Sequence, residues 1–246
     1  MGEKLLAVSV SAPVASFRRP LDHNYQRTLP LPPPTTLIGL AGAALGLSDR
    51  ELWTEKSPLR DLKVSVLAQP SYHTGGDPGK AQDMWTVMKI KNNRIAERSP
   101  YLRELLFFAR YTLLYGGPAD LLEELCRAFL DPAYPLSLGR EDELIWIESL
   151  PEITELTEGT PRFSGTAIPG DLRDLEVKPP PLRPGLRFEP PVVETVPLGF
   201  TLNRRGVREP LRRVPLTFIP ISLKLEVPEI SPVFSYKGRN FTWLNS

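Results

Sequence analysis

Proline sets the strongest limit on how this chain can fold. The sequence has 246 residues, 28 of them proline, and more than half of the prolines fall after residue 150. Proline fixes φ at about −65° and has no backbone N–H, so it breaks helix interiors. In sheets it is confined to edges, bulges and turns. Helices are therefore expected before residue 150, and short strands joined by turns after it.

Before residue 150 the apolar spacing predicts six elements. Residues 4–11 read as a strand, with Leu6, Val8 and Val10 alternating with Ala7, Ser9 and Ser11. A polar, proline-bounded loop covers residues 13–34. A helix follows over residues 36–47, capped by Thr35 or Thr36. Leu37, Leu40, Ala41, Ala44 and Leu45 form its apolar stripe. Gly39, Gly42, Ala43 and Gly46 fall on the other face. Each glycine costs a helix up to about 1 kcal/mol relative to alanine, so a face of them predicts that something approaches closely. Residues 62–68 read as a second strand, and residues 69–103 as a long insertion of weak periodicity. Residues 104–115 read as a third strand. Gly116-Gly117-Pro118 opens a second helix that buries Leu121, Leu122, Leu125 and Phe129 and stops before Pro132. Residues 143–148 read as a fourth strand. The β-α-β-β-α-β order is the split ferredoxin-like arrangement of RNA-recognition modules, a superfold that also hosts many other activities.

The expected class is therefore α+β. A ferredoxin-like (RRM-type) module spans residues 1–150, interrupted by the insertion at 69–103. A proline-rich β-region over 151–246 packs on it as a second unit, with strands at 192–200, 214–219 and 222–227. The net charge of +1 gives no global pull on nucleic acid, so any RNA contact must come from local patches. The single cysteine, Cys126, excludes a disulfide framework and reads as core. With only His23 and His73 as histidines, no metal or cofactor is expected. The longest mostly apolar run, residues 37–47, is far short of the roughly 20 residues of a membrane span. No signal peptide opens the chain. A soluble cytoplasmic protein without membrane contact is expected.

Local patches are present. Phe17, Arg18, Arg19, Tyr25 and Arg27 interleave aromatic and basic side chains in one loop, as single-stranded nucleic acid requires. Phe17 is equally well placed for the core. Thr35, Thr36, Gly39 and Gly42 stand at the start and on the glycine face of the first helix, where free N–H groups can meet a phosphate. Ordinary capping and packing is the alternative there. Leu138-Gly139-Arg140 offers a guanidinium fork beside a glycine; an ion pair with Glu141, Asp142 or Glu143 competes. Trp85, Lys89, Lys91 and Arg94 form a basic run with one aromatic in the insertion. Arg204, Arg205, Arg208, Arg212 and Arg213 form the densest basic patch, expected at a hairpin tip. It suits a nucleic-acid strand or an acidic partner protein.

Three blocks, in order, resemble one family. The first is Val10-Ser11-Ala12-Pro13-Val14-Ala15-Ser16-Phe17-Arg18, followed by Leu29-Pro30 and the Gly-rich helix from Pro34 to Gly46. The second is Pro100-Tyr101-Leu102-Arg103-Glu104-Leu105-Leu106. The third is Tyr134-Pro135-Leu136-Ser137-Leu138-Gly139-Arg140. Together they are similar to the CRISPR-associated Cas-five family of the repeat-associated RNA-binding (RAMP) superfamily.

The resemblance implies a non-catalytic, RNA-binding subunit of a type I effector complex, Cascade. Such a subunit holds the 5′ handle of the guide RNA (crRNA), uses the insertion as a thumb and caps the backbone filament. Its implied partners are a Cas-seven-like backbone subunit, a Cas-eight-like large subunit and, as a further candidate, target DNA. One subtype of the family cleaves precursor guide RNA without metal through a Tyr-Lys-His group. Here His73 follows Tyr72 and His23 lies near Tyr25, with no adjoining Lys-His pair, so no catalytic residues are expected. That endoribonuclease and a handle-binding subunit of a type III complex are the alternatives. The glycine-rich loop of the processing enzymes is also missing, since Gly199-Phe200 and Gly206 are too sparse.

Overall fold

A computed structural model describes residues 3–178 and 189–245. The first strand, β1 (Lys4–Ala15), is longer than its apolar alternation suggests and carries Pro13 near its end. The two-residue strand β2 (Tyr25–Gln26) follows in what reads as loop. Helix α1 (Pro34–Leu45) starts earlier than expected. Its N-cap is Pro33, with Pro34 as first helical residue and no side-chain cap, so neither Thr35 nor Thr36 caps it. Prolines already hold φ at the helical value and lack the N–H that a cap would satisfy. Gly46 ends the helix at φ +76°, with Leu47 N–H donating to the Gly42 carbonyl at 2.9 Å.

A short helix, α2 (Asp49–Leu52), follows at once, with a capping box between Ser48 and Glu51. Leu52 then lies against α1. A Cβ built on Gly42 would stand 2.9 Å from a Leu52 methyl, while one on Gly39 would meet nothing within 4 Å. Gly42 is thus a packing glycine under α2, which corrects its reading as a binding surface.

Strands β3 (Lys63–Gln69), β4 (Gly79–Lys91) and β5 (Arg94–Gly116) come next. The insertion read as a long segment of weak periodicity is a hairpin, paired from Gly79↔Phe107 to Lys91↔Arg94. Asn92 and Asn93 turn it with φ of 50° and 59°, the left-handed pair that a two-residue hairpin turn needs. Both arms stand largely in solvent, so no buried face imposes a period. β5 runs for 23 residues, first as an arm of the hairpin and then as a central strand. At the changeover Phe108 has φ +53°.

Helix α3 (Ala119–Leu130) buries Leu122, Leu125 and Phe129. The fourth strand, expected over residues 143–148, shrinks to β6 (Trp146–Ile147), and a separate strand, β7 (Glu152–Glu155), follows it; both are antiparallel to β1. Pro151, lacking a donor, stands in the gap. The four lateral positions of the first 150 residues are ordered β3-β5-β1-β6, all antiparallel. α1 and α3 lie on one face over Val8, Val10, Val64, Val66, Leu113 and Tyr115.

The rest of the chain does not form a second unit packed on the first. β8 (Thr157–Glu158), β9 (Arg162–Phe163) and β10 (Thr166–Pro169) lead into β11 (Val192–Leu202) and β12 (Arg208–Ile219). β10, β12 and β11 extend the same sheet beyond β3, and Val196, Leu216 and Phe218 join the main core. β13 (Leu225–Glu226), β14 (Phe234–Tyr236) and β15 (Arg239–Phe241) precede a C-terminal segment that covers the other sheet face. There Phe241 and Trp243 pack on Leu5, Leu67 and Leu114. Residues 179–188, inside the expected β-region, lie outside the described residues. Among the described residues no helix is long and apolar enough to cross a membrane.

Because Leu52 fills the space over Gly42, Gly42→Leu should overpack this joint and destabilise the protein by about 1–3 kcal/mol. Gly42→Ala, which a small shift of Leu52 accommodates, should change stability by less than about 1 kcal/mol. Urea denaturation of the two variants measures this.

Candidate nucleic-acid interface

The Ser16-Phe17-Arg18 turn and the Leu138-Gly139-Arg140 turn are far apart in sequence and touch in space. The carboxylate of Glu143, 4% exposed, joins them. It accepts from the Ser16 N–H at 2.7 Å, the Ser16 hydroxyl at 2.5 Å and the Arg140 N–H at 3.0 Å. Gly139 has φ +122°, and a Cβ there would lie 2.3 Å from both the Ser16 carbonyl and the Glu143 carboxylate. Its glycine is therefore required by the protein's own backbone, a different reason from the approach of a ligand.

This junction floors two adjoining clefts that share Ser16, Arg18 and Gly139. The first, about 430 Å³, is walled by Trp85, Tyr101, Gln26 and Arg140. The parallel pairing of β2 with β5, Gln26↔Arg103, brings Gln26 there. Arg140 Nη2 donates to Gln26 Oε1 at 2.5 Å, and its guanidinium stands 5.5 Å from the Trp85 ring centroid. The Trp85 and Tyr101 rings are 5.8 Å apart. The guanidinium makes no ion pair with Glu141, Asp142 or Glu143 among the described residues. Burial, then the nearby Arg103 and Arg18, hold its pKa below the ordinary arginine value against the pull of Glu143 and Asp142. It remains charged at neutral pH. A half-buried cation whose charge is poorly balanced attracts an anion.

The second cleft, about 330 Å³, runs from Arg18 past Thr35 and Thr36 to Phe200 and Arg213. The start of α1 lines this cleft; Pro33 and Pro34 have no N–H and Thr36 N–H donates to the Pro33 carbonyl at 3.0 Å, which leaves the Thr35 N–H as its donor without a partner among the described residues. No acidic residue stands in its first turn, which leaves its positive end for an anion.

Arg18, Trp85, Thr35, Thr36, Gly139, Arg140 and Arg213 thus converge on one groove. Other candidates offer it no free side chain. Phe17 borders the second cleft but is 3% exposed and packs edge-on against Tyr111 at 6.1 Å, so it is core and offers no stacking face. Leu138 is fully buried. Arg19 pairs with Glu194 at 4.0 Å, and Arg27 is held by both oxygens of Asp22. Tyr25 is exposed, but its hydroxyl is engaged by Glu104 and Gln82. Lys89 pairs with Glu97 across the hairpin at 2.7 Å. Lys91 and Arg94 flank the hairpin turn and Gly39 faces open space, all outside the groove. Arg204 and Arg205 sit in the β11–β12 turn as expected, Arg208 pairs with Asp49, and Arg212 stands exposed on β12. Sequence reasoning missed Gln26, Tyr101, Phe200 and Glu143. Tyr101 lies within the second family-like block, but nothing in the spacing singles out Gln26 or Glu143.

Glu143→Ala removes three hydrogen bonds to one buried carboxylate. It should cost about 3 kcal/mol or more and loosen both turns. Thermal unfolding reads the first effect, and loss of hydrogen-exchange protection at Ser16 and Arg140 reads the second. Unchanged protection at these two amides would contradict the junction.

The groove can be set beside known proteins. A chain in the solved structure of a CRISPR RNA-guided surveillance complex superposes with a TM-score of 0.52 at 18% identity, covering 89% of this chain and 92% of that one; it shares the fold. A Cas protein solved by crystallography is 25% identical with a TM-score of 0.39. The match covers 60% of this chain and spans only 61% of that protein's length. A chain of the type III-B Cmr-beta complex bound to cognate target RNA and AMPPnP is 10% identical, with a TM-score of 0.45 over 91% of this chain and 86% of that one. No curated protein matches. The model of the CRISPR-associated protein (Cas_Cas5) family matches residues 5–194, and the chain belongs to that family.

Proposed function

We propose that this chain is the subunit of a type I effector complex, Cascade, that holds the 5′ handle of the guide RNA in the groove around Arg18 and Arg140. The observation that carries the reading is the convergence itself. Side chains from β1's end, the start of α1, the β4–β5 hairpin and the turn before Glu143 meet at one cationic, aromatic cleft. Phosphates suit Arg18, Arg140 and the Thr35 N–H at the start of α1. A splayed base suits Trp85 and Tyr101, with Gln26 and Arg140 at its edge. The strand order and helix placement support a ferredoxin-like frame, and the hairpin is the thumb that closes over the RNA. Backbone and large subunits flank it in a cytoplasmic assembly, where target DNA is a further contact.

The chain acts in this reading by binding alone. His73, the histidine that follows a tyrosine, is stacked on Phe108 at 3.9 Å between centroids, and the guanidinium of Arg110 stands 3.5 Å from the Tyr72 ring centroid. Labelled repeat RNA incubated with the protein, with and without magnesium, should stay intact. Site-specific cleavage lost on mutating His23 or His73 would overturn this part of the reading. Arg140→Ala should remove a charge-assisted contact worth about 1.5–3 kcal/mol, lowering affinity of the assembled complex for handle RNA tenfold or more. Unchanged affinity at moderate salt, with the melting temperature preserved, would remove Arg140 from the interface.

A further inference from the structure

A further concavity lies between α2 and the β11–β12 hairpin, next to the groove described above, with which it shares Phe200. It encloses about 360 Å³. Its walls are aliphatic, with Ile38, Leu52, Leu59, Leu198 and Leu211. Leu211 is 54% exposed at its mouth. Trp53 stands in the wall with its indole N–H buried and without an acceptor among the described residues.

The rim is cationic. Arg60 and Arg212 line the cavity, and Arg50 and Arg204 line the adjoining shallow cleft, which shares Trp53 with it. Among the described residues none of these four makes an ion pair; Arg60 only donates to the Glu55 carbonyl at 3.2 Å. Among the described residues Glu55 is the one acidic side chain lining either space. Of the acidic groups beside the hairpin, Glu209 accepts from Asn203 and Asp49 is paired with Arg208.

We propose that this cavity docks an acidic segment of a neighbouring protein chain, anchored by one bulky apolar side chain. Aliphatic walls take a leucine or phenylalanine side chain, and the arginine rim takes acidic flanks. Nucleic acid fits less well. Base binding needs an open aromatic face, and here the Trp53 and Phe200 rings are packed on each other at 87° and 5.1 Å. Arg208 also lies over Phe200.

The test uses the full chain and labelled acidic peptides of about a dozen residues, each with a central leucine or phenylalanine. Controls are the same peptides with central serine and an oligothymidylate of similar length. Fluorescence anisotropy should show saturable, salt-sensitive binding of the leucine or phenylalanine peptides. Leu211→Asp, and separately the pair Arg204→Glu and Arg212→Glu, should weaken it by at least about tenfold. All three positions are exposed, so the melting temperature should hold. Equal binding of the serine peptides would reduce the site to unspecific charge and overturn the proposal. So would failure of every peptide to bind, or oligothymidylate binding that the same variants abolish.

Discussion

A single buried carboxylate organises the groove. Glu143 receives three hydrogen bonds from two turns that no sheet ladder connects. A charge so enclosed is costly unless every lone pair is engaged. Meeting that condition locks together the Ser16 and Arg140 turns, which the β1–β6 pairing already brings near each other, and the contact is so close that position 139 tolerates no side chain. Arg18 and Arg140 reach the same space because their backbones share this anchor. The cationic character of the groove is thus built by an anion hidden beneath it.

The β4–β5 hairpin adds the second half. Its register separates two faces. Asp83, Trp85, Val87 and Lys89 alternate with Met84, Thr86 and Met88 along β4. Trp85, Val87 and Tyr101 line the cleft, whereas Met84 and Met88 are 70% and 54% exposed on the other side. A projecting hairpin keeps such a face dry only in contact with another molecule, which is consistent with a subunit of an assembly. Because β5 continues from the hairpin into the centre of the sheet, movement of the arm is tied to the strand that pairs with β1 and β3.

Much of the core was legible because periods of 2 and 3.6 survive wherever one face is buried. The strand at β1, the stripe of α1 and the stripe of α3 follow from Val8, Val10, Leu37, Ala41, Leu122 and Leu125, all buried. Reading failed where burial is two-sided, absent or non-local. The hairpin lacks a buried face along most of its length and so lacks a period. On the glycine face of α1, Gly42 marks a close approach, made by Leu52 through the path of α2, while Gly39 faces open space and Gly46 serves as the left-handed C-cap. The joining of β10 and β12 to the first sheet is a long-range pairing that no local pattern encodes. Arg18 and Arg140 stood out as basic residues in turns, whereas Glu143 looks like any surface acid until its donors are seen.

The central claim is that RNA lies in the groove between the hairpin and the Glu143 junction. Photocrosslinking in the reconstituted complex tests it most directly. Guide RNA carries 4-thiouridine at single handle positions, and crosslinked peptides are mapped by mass spectrometry. Crosslinks are expected on the segments holding Ser16 to Arg18, Trp85, Tyr101 and Gly139 to Arg140. Handle crosslinks confined to the β11–β12 turn or to the sheet face beneath Phe241 and Trp243, with none in the groove, would contradict the account.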